Sequence, residues 1–259
     1  MNIGIIGAGA IAQFLLKEIN QNQANDLHIS SVFVRNREKY QDLEEPFSIQ
    51  LYTEMDEFLQ SGIDIVVEAA NIDAVKSHIP TVLQQKSAVL ISIGALADPS
   101  FLQKVSELSL KHHHAVHLPS GAVGGLDLLQ NAHALGTVTE VALTTRKPAN
   151  TLIDEPVNEE VIVYEGPAAK AIQQFPKNIN VSIVLSLAGI GMEKTNVTII
   201  ADPHIKQNIH QADIKGDFGE ASVQIKNNPL PENPKTSYLA AMSILGTLKR
   251  LVQTIHIGN

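Results

Sequence analysis

The 259-residue sequence predicts an α/β chain: an N-terminal parallel sheet covered by helices, then a second, α+β unit built on a mostly antiparallel sheet. Three observations carry this reading. A short apolar strand, a Gly-x-Gly-x-x-Ala turn and a helical stripe stand together at the N-terminus. Strand-like and helix-like segments then alternate to about residue 118, as a parallel sheet with covering helices requires. Beyond it, apolar residues recur at every second position, the period of a strand with one solvated face.

Asn2–Ile6 reads as the first strand. Gly7-Ala8-Gly9-Ala10-Ile11-Ala12 follows, and Ile11, Phe14, Leu15 and Ile19 form one helical stripe. This is the opening of a Rossmann unit. Gly7 permits the tight turn, Gly9 lets backbone approach a pyrophosphate, and Ala12 lets helix and strand pack closely. The helix start, with Ala10 and Ile11, offers unpaired N–H groups to the phosphates. Further strands read at His28–Val34, Phe47–Tyr52, Ile63–Val67, Ala88–Ile93 and Ala115–Leu118, with helices at Asp73–Gln85 and Pro99–Lys111.

In the second part Glu140–Thr145, Thr195–Ala201, Ile209–Lys215 and Ala221–Ile225 read as strands. Pro167–Gln174 and Asn178–Leu187 read as helices, the latter stopped by Gly189 and Gly191. A closing helix runs over Lys235–Leu251, apolar at Leu239, Met242, Ile244, Leu245, Leu248 and Leu251. The expected domains are therefore 1–118, dinucleotide-binding; 119–235, catalytic and dimerising; and 236–259, a helix packing back on the first.

Composition narrows the function. The hydrophobic share of 44% and charged share of 18% are those of a globular protein. A net charge of −8, with no basic run, argues against nucleic acid as the main partner. The lack of cysteine excludes disulfides, thiolate metal sites and a Cys nucleophile. A core strand at residue 2 stands where a signal peptide would, and no apolar run is long enough to span a bilayer. The expectation is a cytoplasmic protein with no membrane partner.

NAD-preferring sheets end their second strand with an acid that holds the ribose hydroxyls. Here Arg35-Asn36-Arg37 stands there, so NADP as well as NAD is expected as cofactor, with the 2′-phosphate meeting the arginines. The alternative is that these are surface charges and Asn36 or backbone holds the adenosine. At the fourth strand's end the small residues Ala69 and Ala70 leave room for the nicotinamide half.

Three later segments are unusual for a scaffold. Pro119-Ser120-Gly121-Ala122-Val123-Gly124-Gly125 suggests close approach of backbone to a ligand. Phe175-Pro176-Lys177-Asn178-Ile179-Asn180-Val181 brings Asn side chains to a helix start, and Asn208-Ile209-His210 offers an acid/base group. With Thr144-Thr145-Arg146-Lys147-Pro148, Glu165-Gly166-Pro167-Ala168, Ala201-Asp202-Pro203 and Pro231-Glu232-Asn233-Pro234-Lys235-Thr236-Ser237, the chain resembles the L-aspartate dehydrogenase family over nearly its whole length.

The resemblance implies NAD(P)-dependent oxidation of L-aspartate to iminoaspartate, then oxaloacetate and ammonia, which in some members feeds NAD biosynthesis. It places the active-site histidine at His210, cofactor contacts at Ala122 and Asn180, and a homodimer formed through the second domain. Where many members carry an acid beside that histidine, this sequence has Gln211-Ala212, and it has Arg35 where some carry Asp. Removing a hydride from Cα requires the ammonium to shed a proton first, a task for a group titrating near neutrality such as His210. The two substrate carboxylates need donors; Lys177, Arg146 and Lys147, with Ser120, Asn178 and Asn208, are the candidates.

The tract His112-His113-His114 with His117 reads as a surface turn entering a strand rather than a metal site, because neighbouring strand side chains point apart. Asp154-Glu155 and Glu159-Glu160 read as a solvated acidic loop. The rival readings are a related dehydrogenase of another small amino acid or carbonyl, such as dihydrodipicolinate or homoserine, and a non-catalytic NAD(P) sensor.

Overall fold

The computed structural model describes residues 1–22, 26–175 and 180–258, apart from the side chains of 234 and 235. The chain divides into two compact units: Met1–Pro119 with Ala241–His256, and Ser120–Ala240 with the residues from Ile257 onward.

The first unit carries strands β1 (Asn2–Ile6), β2 (His28–Phe33), β3 (Gln50–Tyr52), β4 (Ile65–Glu68), β5 (Ser87–Leu90) and β6 (Val116–His117). They form one sheet in the order β3-β2-β1-β4-β5-β6, every pair parallel. Helices α1 (Ala10–Leu16), α2 (Glu44–Phe47), α3 (Met55–Leu59), α4 (Ile72–Val82) and α5 (Pro99–His112) connect them. The central strands are buried on both faces, which is why Ile3, Ile5, Ile6, Val66 and Val67 make almost unbroken apolar runs. Gly4 interrupts β1 for a packing reason: a Cβ there would lie 2.6 Å from both Ile63 Cδ1 and Phe58 Cζ. The strand order reverses between β1 and β4, and at such a point the two chain exits diverge and leave a crevice.

Several expected strands are shorter than their sequence patterns, that at 115–118 being only Val116–His117. The one expected at 47–52 begins only at Gln50, because Glu44–Phe47 is helical and Ser48 turns the chain with φ +52°. The one expected at 88–93 stops at Leu90, where Ile93–Ala97 winds into a 3₁₀ segment. The histidine tract forms the turn between α5 and β6, with His112 ending the helix. His113 takes a left-handed backbone as the helix C-cap, and His114 Nδ1 lies 2.9 Å from the Leu83 carbonyl oxygen. Among the described residues no three potential metal-ligating side chains gather.

The second unit holds α6 (Leu126–His133), β7 (Val138–Pro148), β8 (Val161–Pro167), α7 (Ala168–Gln174), α8 (Asn180–Ala188), β9 (Asn196–Asp202), β10 (Asn208–Gly216) and β11 (Gly219–Asn227). A small hairpin, β12 (Pro229–Leu230) and β13 (Asn233–Ser237), precedes α9 (Tyr238–Val252), whose residues from Ala241 group with the first unit. The five-stranded sheet runs β11-β10-β7-β9-β8. It is antiparallel except for β7 and β9, which lie parallel. One face is buried: Leu143, Val197, Ile199, Ala212 and Ile214 lie on it, alternating with the outward Thr144, Thr198, Gln211 and Asp213. No helix among the described residues is long and apolar enough to cross a membrane.

Candidate active site

In the first unit a cavity of about 420 Å³ opens at the strand exits, within the range of cofactor pockets. Gly7, Gly9, Ala69 and Ala70 line it. Gly7 has φ +102°, and a Cβ there would stand 2.9 Å from the Ala69 carbonyl oxygen, so only glycine fits the turn. Its N–H donates to the Phe33 carbonyl at 2.9 Å, and Gln13 Nε2 donates to the Ala8 carbonyl at 3.1 Å, holding the loop on both sides. A Cβ on Gly9 would have nothing within 4 Å, so the turn leaves open space where a dinucleotide phosphate would lie. Ala10 and Ile11 begin α1, whose N-cap, Gly9, supplies no side-chain hydrogen bond to the helix's first N–H groups. These residues fit a pyrophosphate.

The basic residues after β2 do not act alike. Arg35 lines the cavity; Arg37 does not. Its guanidinium is held by Glu44 at 3.0 Å, and the same carboxylate accepts the Leu51 N–H at 3.1 Å. The expected pair of arginines is thus reduced to one, because Glu44 of α2 captures the other. Lys39 and Tyr40 line the cavity instead.

Glu68, which the sequence reading passed over, is fully buried at the end of β4. Its carboxylate accepts from the Ala70 N–H at 2.8 Å, the Ser92 N–H at 3.0 Å and the Ser92 hydroxyl at 2.9 Å. Burial pushes its pKa up, and these bonds oppose the rise. The carboxylate ties the exits of β4 and β5 together beside Ala69 and Ala70.

The second unit collects its polar groups on the buried sheet face. His210 pairs in register with Thr145 across β10 and β7, and its Nδ1 lies 3.0 Å from Thr145 Oγ1. Lys147, two residues beyond Thr145, and Asn208, two before His210, share that face. Arg146 points to the other face, where it meets Glu160 at 2.5 Å and Asp202 at 3.9 Å. His210 is only 4% exposed. Burial first, and the charge of Lys147 second, push its pKa down to about 4, so the ring is neutral at pH 7. Burial also lowers the Lys147 ammonium from its ordinary value.

Asn227, opposite Asn208 in register, reaches the glycine-rich segment. Its Nδ2 donates to the Ala122 carbonyl at 3.1 Å while its Oδ1 accepts from Ser237 at 2.7 Å. Ala122 is buried, and Ser120, two residues before it, is half-buried. The glycines there serve two ends. Gly121 has φ +65° with open space around it, whereas Cβ atoms on Gly124 and Gly125 would press on Val223 of β11 at 3.0 and 3.2 Å. Packing against the sheet, rather than a ligand, therefore explains the last two. Asn180 is the exposed first residue of α8; Ala122 and Asn180 belong to the second unit and do not line the first unit's cavity. Lys177 and Asn178 lie outside the described residues.

Residues 7–119 match the family described as homoserine dehydrogenase, NAD binding domain, and residues 127–251 match aspartate dehydrogenase, C-terminal. An L-aspartate dehydrogenase of Methanosarcina mazei is 38% identical, over 100% of this chain and 99% of its own length. That of Methanocaldococcus jannaschii is also 38% identical with the same coverage. The chain belongs to the L-aspartate dehydrogenase family. A solved aspartate dehydrogenase from Thermotoga maritima superposes with a TM-score of 0.79 at 29% identity, covering 99% of both chains. A myo-inositol dehydrogenase from Lactobacillus casei, solved with NAD(H), shares the fold at TM-score 0.56 and 13% identity.

For this aspartate dehydrogenase family member the His210 environment has a measurable consequence. Between pH 6.5 and about 4 the unfolded chain binds a proton at this ring that the folded chain refuses. The His210 contribution to stability is therefore complete above pH 6.5 and is lost as pH falls toward 4. Urea unfolding across that window is expected to show stability falling with pH, with a shallower slope for His210→Asn; equal slopes would contradict the depressed pKa.

Proposed function

We propose that the protein oxidises L-aspartate with NAD or NADP, with His210 as the proton acceptor. The observation that supports this best is a buried, neutral His210 sharing one sheet face with Lys147 and Asn208, in a member of this family. The balanced reaction takes L-aspartate, water and oxidised cofactor to oxaloacetate, ammonium and reduced cofactor, with one proton released. When bound, the nicotinamide ring accepts the hydride from Cα.

The chain's own residues manage charge. For Nε2 of His210 to take a proton from the substrate ammonium, Nδ1 must carry the ring hydrogen and donate it to Thr145 Oγ1, which orients the ring. A base of pKa about 4 is weak against an ammonium group, and the substrate itself narrows the gap. Its carboxylates bring negative charge toward the ring, and pairing one of them with Lys147 neutralises a charge that holds the ring's pKa down. Among the carboxylate-binding candidates the geometry favours Lys147 and Asn208 over Arg146, which already has two acidic partners on the opposite face. The same imidazole then serves the water that attacks the imine carbon.

Reduced-cofactor absorbance is expected to rise with L-aspartate and to stay flat with D-aspartate or L-glutamate; a flat trace with L-aspartate, where cofactor binding is confirmed separately, would move the reading to another substrate or a sensor. His210→Ala should lower kcat by about 10²–10⁴-fold while cofactor affinity holds, the range of a lost acid/base group. Lys147→Met should raise KM for aspartate by about tenfold or more, as loss of a charge-assisted contact does. Arg146→Gln should leave it nearly unchanged, and the reverse order would reassign the carboxylate site.

We also propose a homodimer formed through the second unit. The edge strand β8 supports this with Val161 and Ile162, 37% and 59% exposed. Sedimentation at twice the chain mass is expected, and a monomer at micromolar concentration would oppose it.

A further inference from the structure

We propose that Lys39, together with Arg35, forms a subsite for the 2′-phosphate of the adenosine ribose, so that the chain favours NADP over NAD. This rests on the reading of the first unit as a nicotinamide-dinucleotide site. The cavity wall beyond β2 is built from Arg35, Asn36, Lys39 and Tyr40. No carboxylate stands on this stretch of wall. Glu38, within the stretch, does not line the cavity, and Glu44 is engaged with Arg37 and the Leu51 N–H. The carboxylate that does line it, Asp73, comes from the first turn of α4, not from the exit of β2.

The local fold brings Lys39 there. Asn36 Oδ1 accepts the Lys39 backbone N–H at 3.1 Å, closing a turn that returns the chain to the wall. The Lys39 ammonium lies 5.2 Å from the centre of the Tyr40 ring, itself a lining residue. An acid at the end of the second strand would accept hydrogen bonds from the ribose hydroxyls and repel a 2′-phosphate. This wall does the opposite. It presents a guanidinium fork and a point charge to a group carrying between one and two negative charges at neutral pH. The chain's net charge of −8 makes such a local cationic stretch a feature of the site and not of the surface at large.

Calorimetric titration of the full chain with adenosine 2′,5′-bisphosphate and with 5′-AMP isolates this contact from turnover. The bisphosphate is expected to bind at least about tenfold more tightly at low salt, with the margin shrinking as salt rises. Lys39→Ala should remove most of that margin, Arg35→Ala part of it, and both should leave 5′-AMP binding within about twofold, since the phosphate contact is all they lose. Arg37→Gln should leave the margin intact. Equal affinity for the two nucleotides, or a loss with Arg37→Gln as large as with Lys39→Ala, would overturn the proposal. Because no aspartate is present, a failed L-aspartate assay beside a retained margin would refute the substrate reading and keep this one.

Discussion

A strand turns successive side chains to opposite faces, and this constraint decides which residues of the second unit meet. Thr145-Arg146-Lys147 is one basic tripeptide in sequence and two environments in space. Thr145 and Lys147 turn to the buried face with His210, while Arg146 turns away to Glu160 and Asp202. Because β7 and β10 are antiparallel and in register, the same alternation sets Asn208 beside His210 and, across β11, Asn227 opposite Asn208. A one-residue slip of β10 would send His210 to the polar face and Gln211 to the core. The buried Ala212 and Ile214, facing Leu143 and Val141, resist that slip because it would expose them too.

Burial then shifts the ionisable groups. Desolvation disfavours whichever form is charged, so it raises the Glu68 carboxyl and lowers the His210 imidazole. The compensation differs between the two. Glu68 receives three N–H and O–H donors, which makes a buried carboxylate tolerable and turns it into a tie between two strand ends. His210 has Thr145 on Nδ1 and the like charge of Lys147 nearby, and both its burial and that charge disfavour its cation. A ring kept neutral in this way would gain basicity where negative charge is brought beside it or the Lys147 charge is neutralised.

Much of this was legible in the sequence. The parallel half was clear because buried central strands are written as apolar runs and the Gly7 turn carries its own geometry. His210 stands out in the sequence only through its segment, Asn208-Ile209-His210. What the sequence hid is instructive. The strand Val161–Pro167 was missed because Glu165, Gly166 and Pro167 look like loop, and its exposed Val161 and Ile162 break the alternation of an edge strand. The parallel pairing of β7 with β9 is a matter of chain connection: β7 alternates as an antiparallel strand does, and the apolar Ile199-Ile200-Ala201 of β9 marks burial without marking direction. That Lys39 lines the cavity while Arg37 does not is hidden in the sequence, because a charge's partner, for Arg37 the Glu44 seven residues on, is a tertiary fact. Glu68 carries no signal of its role in the sequence, and only the fold shows Ser92 turned onto it.

The glycine-rich segment shows why a motif's composition can overstate its ligand. Gly124 and Gly125 are small because Val223 stands over them, and Gly121 alone combines a left-handed backbone with open space. The segment is nonetheless held with care. Asn227 spends its amide on the Ala122 carbonyl and its oxygen on Ser237, so one buried side chain joins the segment, the end of β11 and the end of β13. A buried amide with both halves satisfied is rigid, because turning it would leave a donor and an acceptor unpaired at about 1–3 kcal/mol each. Asn227 also ends the row that holds Asn208 opposite it, two residues from His210. The carbonyl of Ala122 and the His210 imidazole are therefore referenced to the same strand register, and a substitution at Asn227 would loosen the segment without touching the imidazole.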